Sequence, residues 1–423
     1  MAMNHSDEEN SEWTNEHLHE ALSRTRNRPS LGVKLIRWGY AHVAKPYIFH
    51  LEPDRAHDFT VQTCARLAKS NALMGLLHSV TDSADPRLER DVMGVHYMNP
   101  FGLSAGLDKD ADLLRILDAA GYGFCSYGSM TAEPCEGNKR PWFHRLPEYK
   151  SLLIHAGLPN RGAKVVMEKA DSTGTPYGAV RHASVGFTNR KYTGGVPEMI
   201  EDYVRSVKMN MDSESDVCEV NISCPNLAEG KPFQDPKALD DLFSALDEVT
   251  PDIKDRKPVL VKMPSVSTAD LDRLLEVLAG HDVQGVATCN LLEDRTGYEV
   301  PDDWEGSLSG RPCNRRAVDA VRFTREKYGH RFAIEGIGGV FDDGDALTML
   351  DAGADLVGFV TTLMFNGPQR TAEFKYAMMA AYSQLEKEHW EAKGVDYERP
   401  DNTVDFNEIH EINESMDDDV KLD

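Results

Sequence analysis

The chain has 423 residues, of which 41% are hydrophobic, enough to fill one large core or two ordinary ones. Lys and Arg number 46 against 70 Asp and Glu, and the net charge of −24 argues against binding to nucleic-acid phosphates. Seven cysteines are scattered along the chain without a CxxC pair. This pattern is typical of free thiols in a reducing compartment.

Both ends of the chain are polar and acidic. Residues 1–30 lack hydrophobic periodicity, so we expect a mobile acidic tail, and its first ten residues lack the apolar stretch of a signal peptide. Residues 386–423 are predicted to form a second acidic tail, because the helical pattern fades there. No run of 18 apolar residues occurs, which argues against a membrane-spanning helix.

Residues 31–80 are predicted to form an N-terminal helical segment. Apolar residues recur at helical spacing between residues 33 and 50, where Pro46 should break the helix. A second helix should begin at Pro53-Asp54, with a proline early and an acid in its first turn. A basic, aromatic-rich helix pair of this kind can lie in a membrane interface. The alternative is a helical hairpin that caps the main domain.

Short apolar runs recur from about residue 92, as expected of buried parallel strands. Helical patterns lie between most of them, and the clearest should begin after Ser267-Thr268 and end at Gly280. The eight runs are residues 102–105, 124–127, 183–185, 217–222, 259–261, 285–288, 333–335 and 356–360.

Eight strands that alternate with helices predict an α/β fold, a closed (β/α)8 TIM barrel over residues 90–385. A doubly wound open sheet is the alternative. No GxGxxG follows the first strand, which argues against a dinucleotide-binding sheet. The stretch from 129 to 182 is longer than an ordinary crossover, so it should contain an insertion over the active site.

The hexapeptide Asn221-Ile222-Ser223-Cys224-Pro225-Asn226 stands where the fourth predicted strand ends. Two carboxamides can donate to and accept from the edge of a cyclic imide, and a thiol between them can act as a nucleophile or base. The simpler interpretation is a turn after Pro225 and a small buried thiol.

Other strand ends add charged and glycine-rich groups. Lys109 and Lys262 should point into the mouth of the barrel, where two buried cations need anionic partners. Gly336-Ile337-Gly338-Gly339 follows strand seven, and the hydroxyls of Thr361-Thr362 follow strand eight, which is the usual place for a phosphate in this fold. The sequence therefore predicts a site for a phosphate, further negative charge and a polar ring.

These residues resemble dihydroorotate dehydrogenase, an FMN-dependent barrel enzyme of pyrimidine synthesis, over roughly residues 33–385. The matching stretches are Ser104-Ala105-Gly106-Leu107-Asp108-Lys109, Gly137-Asn138-Lys139-Arg140-Pro141, Asn221–Asn226, Leu260-Val261-Lys262, Leu308-Ser309-Gly310-Arg311-Pro312 and Gly336–Gly339.

The resemblance implies roles for individual residues and no metal. Cys224 stands where the family has its catalytic base, and lysines nearby should lower its pKa. Lys109, Asn221, Asn226 and Asn290 would hold the substrate. The FMN-binding residues would be Ala105, Gly106, Ser129, Lys262, Ser309, Gly310, Gly338, Gly339 and Thr361.

The chain mixes features of two groups in the family. The helix pair at 33–69, with His57, and Arg145 resemble the quinone-linked, membrane-associated group, so His57 and Arg145 are the candidate quinone-site residues. Cys224 and the segment Gly157-Leu158-Pro159-Asn160 resemble the soluble group. Removal of residues 1–70 should leave flavin reduction by the substrate largely intact and slow oxidation by a lipid-soluble quinone.

Several positions depart from the family pattern. Ile154 stands where the family has a substrate-binding Asn, and an absent carboxamide costs roughly 1–3 kcal/mol in unpaired substrate atoms. Either His155 or Asn160 replaces it, or the substrate differs. Ser184, Leu291 and Ser307 are further departures.

The resemblance implies oxidation of dihydroorotate to orotate in UMP biosynthesis, with electrons passed to a quinone. The alternatives are an FMN oxidoreductase for another dihydropyrimidine-like ring, and a barrel that binds FMN or a metabolite without turnover. We expect a cytoplasmic protein, with peripheral contact at the inner membrane if the helix pair binds lipid. The sequence gives no prediction of oligomeric state.

Overall fold

The computed structural model describes residues 15–25, 29–249 and 257–392. In chain order its strands are β1 (Arg90–Val92), β2 (Val95–Tyr97), β3 (Phe101–Leu103), β4 (Phe124–Met130), β5 (Phe143–Leu146), β6 (Ser151–Ile154), β7 (Val180–Val185), β8 (Val217–Asn221), β9 (Val259–Lys262), β10 (Gly285–Thr288), β11 (Ser307–Leu308), β12 (Ala333–Ile337) and β13 (Leu356–Phe359).

The helices surround the strands. In chain order they are α1 (Asn15–Arg24), α2 (Leu31–Gly39), α3 (Lys45–His50), α4 (Pro53–Leu67), α5 (Asn71–Thr81), α6 (Leu114–Ala119), α7 (Ala163–Thr173), α8 (Val196–Asp212), α9 (Pro236–Val249), α10 (Thr268–Ala279), α11 (Asn314–Tyr328), α12 (Asp343–Asp351), α13 (Thr361–Asn366) and α14 (Arg370–Ala392).

Eight strands pair in parallel and close into a barrel in the order β3, β4, β7, β8, β9, β10, β12 and β13, with β13 pairing back onto β3. Each coincides with one of the eight apolar runs, so the prediction of a (β/α)8 barrel is confirmed. Helix α10 also has the predicted limits, because the Ser267 side chain accepts a hydrogen bond from Asp270 N and Gly280 follows its last turn.

Apolar side chains fill the lower part of the barrel, which is the part nearer the amino ends of its strands. The hairpin β1–β2 precedes the first barrel strand, and its Tyr97 packs with inward residues such as Phe124, Val217 and Leu260. Inward and outward positions alternate along each strand, so the next inward residues lie nearer the carboxyl ends. The lower part of the barrel is therefore a packed core, and the space for a ligand lies at the carboxyl ends of the strands.

Helix α1 corrects the prediction of an aperiodic tail over residues 1–30. Leu18 and Ala21 are only 4% and 1% exposed in the core, and Arg24 pairs with Glu388 of α14 at 3.4 Å. A ten-residue helix with so few apolar positions does not stand out among polar residues. Helix α14 reaches Ala392, so the predicted C-terminal tail begins too early at 386. Residues 1–14, 26–28 and 393–423 lie outside the described residues.

The prediction that Pro46 breaks the first helix is wrong. A π-helical turn at Tyr40–Ala44 joins α2 to α3, with the Lys45 N–H bonded to the Tyr40 carbonyl. Pro46 then occupies the first turn of α3, where its missing N–H costs little. The break comes at Leu51, and α4 begins at Pro53 as predicted.

The stretch from 129 to 182 contains the expected insertion. Strands β5 and β6 form an antiparallel hairpin, and β11 from the segment after β10 pairs with β6. Helix α7 completes the stretch before β7. The three-stranded sheet places Ile154 at the edge of the barrel mouth, opposite Phe143 and Ser307.

Candidate active site at the carboxyl ends of the barrel strands

All sixteen predicted site residues line one cavity of about 570 Å³. Asn221 and Lys262 end their strands, while Asn290 and Gly338 follow theirs closely, so the cavity lies at the carboxyl ends of the barrel. Residues of the insertion and of helices α2–α4, including Ile154 and Tyr40, line the same space. One cavity thus contains the predicted substrate, cofactor and quinone residues, although their separate roles stay predictions.

Asn221 is held by a network of hydrogen bonds from three strands. Its Nδ2 donates to Ser129 Oγ at 2.6 Å, and Ser129 Oγ lies 2.7 Å from Ser184 Oγ. Its Oδ1 accepts from the backbone N and the Oγ of Ser223, at 3.0 and 2.8 Å. Asn290 Nδ2 donates to the same Ser223 hydroxyl at 2.8 Å. These bonds fix the orientation of two predicted substrate carboxamides.

Asn226 is tied to the insertion. Its Nδ2 donates to the backbone carbonyl of Ile154 at 3.0 Å, and its own carbonyl accepts from Asn138 Nδ2 at 2.9 Å. The loop after β8 therefore meets the roof of the site through these residues. Cys224 lies between Asn221 and Asn226 in the chain, is 9% exposed and lines the cavity.

The net pKa of the Cys224 thiol is raised, although the charge of Lys262 lowers it as expected. Burial raises the pKa of the thiol to about 11, although the Asn226 backbone N–H and the Lys262 charge both act in the opposite direction. Desolvation of the thiolate outweighs these favourable groups, because a charged sulfur loses its hydration in a buried site. The thiol is therefore protonated at neutral pH in the free protein.

The two lysines have different surroundings. Lys262 is 4% exposed and donates to the Ala105 carbonyl at 2.9 Å. Lys109 Nζ lies 3.1 Å from His57 Nε2 and 5.3 Å from the centre of the Phe143 ring. Burial lowers the pKa of Lys109 to about 8, so it is mostly charged at neutral pH.

A glycine-rich cradle lies beside the ends of β11 and β12. Gly338 and Gly339 have φ angles of +128° and +67°, and a Cβ on Gly339 would lie 2.9 Å from the Gly310 carbonyl oxygen. Thr361 Oγ1 bonds to Ser309 Oγ at 3.0 Å. Thr362 Oγ1 is buried and has no hydrogen-bond partner within the described part of the chain. Backbone and hydroxyl groups are thus close together here, where side chains would not fit.

Arg145 caps the carboxyl end of helix α3. Its guanidinium donates to the carbonyls of Ile48, Phe49 and Leu51, at 3.0, 3.2 and 2.7 Å. Only Nε lacks a partner among the described residues, and the side chain lines the cavity. Arg145 therefore has a structural function at the end of α3, whatever else it binds.

Neither proposed substitute for the family Asn reaches the cavity. His155 Nε2 pairs with Glu305 at 3.1 Å, and the Asn160 carboxamide bonds to Thr131, Leu158 and Gly162. Neither residue lines the cavity, whereas Ile154 does. The apolar position at 154 is thus not compensated by these two side chains.

Four buried polar residues inside the barrel were not singled out from the sequence. They share the barrel interior directly below the cavity and are Tyr97, His182, Glu219 and Glu335. A charged residue within a near-continuous apolar run, as in Cys218-Glu219-Val220 and Ile334-Glu335-Gly336, is the signal that could have found two of them.

Comparison with known proteins agrees with this geometry. A "Dihydroorotate dehydrogenase (quinone)" of Christiangramia forsetii is 31% identical over 332 residues, covering 78% of this chain and 95% of that protein. One of the same description from Salinispora arenicola is 33% identical, covering 78% of this chain and 96% of that protein. A ligand-free DHODH of Eimeria tenella matches the fold with a TM-score of 0.68 at 22% identity, covering 79% of this chain and 96% of that one.

The sequence model of the family described as "Dihydroorotate dehydrogenase" matches residues 87–380, which include the whole barrel. Together with relatives more than 30% identical over most of their length, this match settles the family. The chain belongs to the dihydroorotate dehydrogenase family.

Proposed function

We propose that the chain oxidises dihydroorotate to orotate in pyrimidine biosynthesis, with FMN as hydride acceptor and a quinone as final electron acceptor. The observation that carries the proposal is Cys224, lying between Asn221 and Asn226 in a cavity that also contains Lys109 and Lys262. The curated relatives described above bear the matching name.

The substrate side follows from charge and hydrogen bonding. Lys109 is a cation below a pKa of about 8 and can bind the substrate carboxylate. Asn221, Asn226 and Asn290 can pair with the oxygens and N–H groups of the ring. With FMN bound to accept the hydride from the neighbouring carbon, the Cys224 thiolate would take the proton from the ring carbon, and the thiol proton would first pass to water.

The cavity fits FMN by its donor set. The close backbone at Gly338, Gly339 and Gly310 and the unpaired hydroxyl of Thr362 suit a phosphate, because they offer small polar groups where a side chain would be too large. Lys262 can place its charge beside the ring system, where reduction builds up negative charge. Bound FMN would supply the hydride acceptor that side chains lack.

The part of the cavity that we propose admits the quinone is apolar. Helices α2–α4 line the outer part of the cavity with residues such as Ile36, Ala44 and Ile48. Leu35, Trp38 and Val43 on the same helices are 53%, 53% and 63% exposed, as suits contact with a lipid surface. None of the described helices is long and apolar enough to cross a membrane. The proposal therefore includes peripheral contact with a quinone-containing membrane.

The test uses the purified full-length chain without oxygen. A flavin absorption spectrum that bleaches on addition of dihydroorotate, and recovers on addition of a short-chain quinone, supports the proposal. Recovery with fumarate but not with quinone would reject the quinone assignment. A colourless protein that cannot be reconstituted with FMN would reject the proposal as a whole.

A second candidate is oxidation of a less polar dihydropyrimidine ring by the same residues. The observation in its favour is the Ile154 side chain, which lines the cavity without a neighbouring substitute carboxamide. Bound flavin that dihydroorotate fails to bleach, but dihydrouracil or dihydrothymine bleaches, would favour this second function.

A further inference from the structure

A layer of titratable side chains lies inside the barrel, below the cavity, and the proposed reaction does not use it. Phe124, Val180, Val217 and Leu260 face inward at the bottom of the barrel. Two positions further along the same strands, the inward residues are Ser126, His182, Glu219 and Lys262. Glu335 on β12 enters the layer from the opposite side.

A chain of polar contacts links this layer to the cavity. Tyr97 Oη lies 3.0 Å from His182 Nε2 at the bottom of the barrel. On the other side of the ring, His182 Nδ1 lies 3.4 Å from Glu335 Oε2. Glu335 Oε1 accepts a hydrogen bond of 3.0 Å from Ser104 Oγ, and Ser104 lines the cavity. The contacts therefore run from the base of the barrel to the floor of the site.

One contact in this series of polar contacts is not a hydrogen bond. His182 Nδ1 and Glu335 Oε2 face each other, yet neither atom has a hydrogen-bond partner among the described residues, and both side chains are fully buried. Buried polar atoms are normally paired, and a carboxyl beside an imidazole can bind one proton between them. The two residues thus form an incomplete ion pair, called here the His182–Glu335 pair.

The backbone is built around this pair. A Cβ on Gly358 of β13 would lie 1.9 Å from Ser104 Oγ and 2.5 Å from Glu335 Oε1. Any larger residue would displace the carboxyl or the hydroxyl, so glycine gives room for their hydrogen bond. The arrangement needs residues from β2, β7, β12 and β13 and the residue that follows β3.

We infer that the His182–Glu335 pair binds a proton when negative charge builds up in the cavity above it, and releases that proton when the charge leaves. This inference rests on the proposed function, because the negative charge is that of two-electron reduction of bound FMN. His182 and Glu335 are positioning residues in this scheme, since they act on the site through Ser104.

Charge balance supports the inference. Ser104 and Tyr97 contact the pair, and Glu219 interacts electrostatically with both of its members. Lys262 acts on Glu219, and Asp216 acts on Tyr97 at the barrel base. Burial raises the pKa of Glu219, and the charge of Lys262 acts in the opposite direction, so Glu219 is held toward its neutral form. Lys262 therefore lies near a layer that already contains two buried carboxyls, so its single charge cannot also balance a reduced flavin.

Uptake of one proton would compensate for the negative charge added on reduction. With FMN bound, hydride transfer from the substrate would bring two electrons and one hydrogen nucleus to the ring system, which would leave one net negative charge. One proton from water binds between His182 Nδ1 and Glu335 Oε2, which converts the pair into a neutral imidazolium–carboxylate pair. Lys262 then remains free to balance the flavin. Oxidation by the acceptor returns the proton to water.

The experiment measures the midpoint potential of bound FMN at several pH values, with dithionite as the reductant so that substrate turnover is not required. Each proton that is taken up with two electrons makes the midpoint potential fall by about 30 mV more per pH unit. We expect the wild-type potential to depend more steeply on pH than that of Glu335→Gln or His182→Asn, by up to this amount. Both changes keep a hydrogen-bonding side chain of similar size.

Glu219→Gln is the matched control, because it makes the same chemical change in the same layer at a carboxyl outside the His182–Glu335 pair, whose pKa burial raises. It should keep the wild-type slope. Equal slopes in wild type, Glu335→Gln and His182→Asn would overturn the inference, as would loss of the steep slope in Glu219→Gln alone. Stoichiometric FMN and the melting temperature show whether each variant is folded. A wild-type protein that binds no FMN would instead overturn the proposed function.

Discussion

Lys109 Nζ lies 3.1 Å from Nε2 of His57, so a predicted substrate residue is bonded to a helix that was predicted to serve the acceptor. The Nδ1 of His57 faces Asp58 Oδ1 at 3.3 Å, which favours a proton on Nδ1 and leaves Nε2 to accept from Lys109. Nε2 also lies 3.2 Å from the Leu107 carbonyl and cannot donate to it while accepting. Burial and the Lys109 charge lower the pKa of His57 to about 4, so the ring is neutral at pH 7.

Helix α4 also holds the wall behind Lys109. The Asp54 carboxylate accepts from the backbone N–H groups of Trp142 and Phe143, at 3.0 to 3.2 Å. The expectation that residues 1–70 are dispensable for flavin reduction is therefore hard to reconcile with the structure. Removal of residues 1–70 should therefore impair both half-reactions.

We predict that His57→Leu weakens orotate binding to the oxidised protein several-fold, because Lys109 loses a hydrogen bond worth about 1 kcal/mol. His57→Gln should restore most of the affinity, since its side-chain oxygen can accept from Lys109. The measurement is the change in flavin absorbance on titration with orotate. His50→Leu, at an exposed position on α3, is the control. Unchanged affinity in His57→Leu would confine His57 to the acceptor side.

Cys224 should make flavin reduction strongly dependent on pH. Because burial raises the thiol pKa to about 11, the reactive thiolate fraction and the rate should rise about tenfold per pH unit below that value. Above a pH of about 8, deprotonation of Lys109 should weaken substrate binding and limit the gain at low substrate concentration.

Anaerobic stopped-flow reduction by dihydroorotate measures this dependence. Cys224→Ala should bind FMN but reduce it far more slowly, and Cys224→Ser should need still higher pH, since a hydroxyl is a weaker acid than a thiol. Cys64→Ser, which changes another thiol of the cavity wall, is the control. A rate in Cys224→Ala within a few-fold of wild type would remove Cys224 from the mechanism.

Arg145→Met should lower the free energy of unfolding by about 1–3 kcal/mol, because three backbone carbonyls at the end of α3 lose their donor. Urea unfolding gives the difference. Arg66→Met, at an exposed position on α4, should have little effect. Equal stability of the two variants would mean that water satisfies these carbonyls, and any loss of quinone reduction would then reflect binding.

Ile154→Asn tests the substrate. If the ring is dihydroorotate, the added amide should tighten orotate binding by about 1 kcal/mol, or several-fold. Leu152→Asn changes the other cavity-lining residue of β6 in the same way and should only destabilise the fold. Orotate titration and melting temperature are measured together. Weaker orotate binding by Ile154→Asn at unchanged melting temperature would favour a less polar ring.

The barrel was predictable because each buried parallel strand is a short, mostly apolar run, and strand ends follow directly from strand limits. The sixteen site residues came together for the same reason, since parallel strands bring distant carboxyl ends to one rim. Helix α1 was missed because its buried face consists of little more than Leu18, Ala21 and Leu22.

Two errors came from forces that local sequence does not reveal. The pKa of Cys224 depends on desolvation by residues far away in the chain, and this exceeded the visible effect of lysine charge. The helix passes Pro46 because a π-helical turn changes the bonding pattern just before it. The contact between His57 and Lys109 joins residues 52 positions apart, and the sequence around either residue does not indicate the contact.

Helix α1 and helix α4 anchor the intervening apolar surface at two separate places. Leu18 and Ala21 fix one end in the core, and Asp54 fixes the other to the insertion. If a lipid surface binds residues 31–50, as proposed, it would meet a segment whose carboxyl-terminal side is fixed to the barrel insertion through Asp54. Movement of that segment on the membrane would then be transmitted to Trp142 and Phe143, and so to the wall beside Lys109.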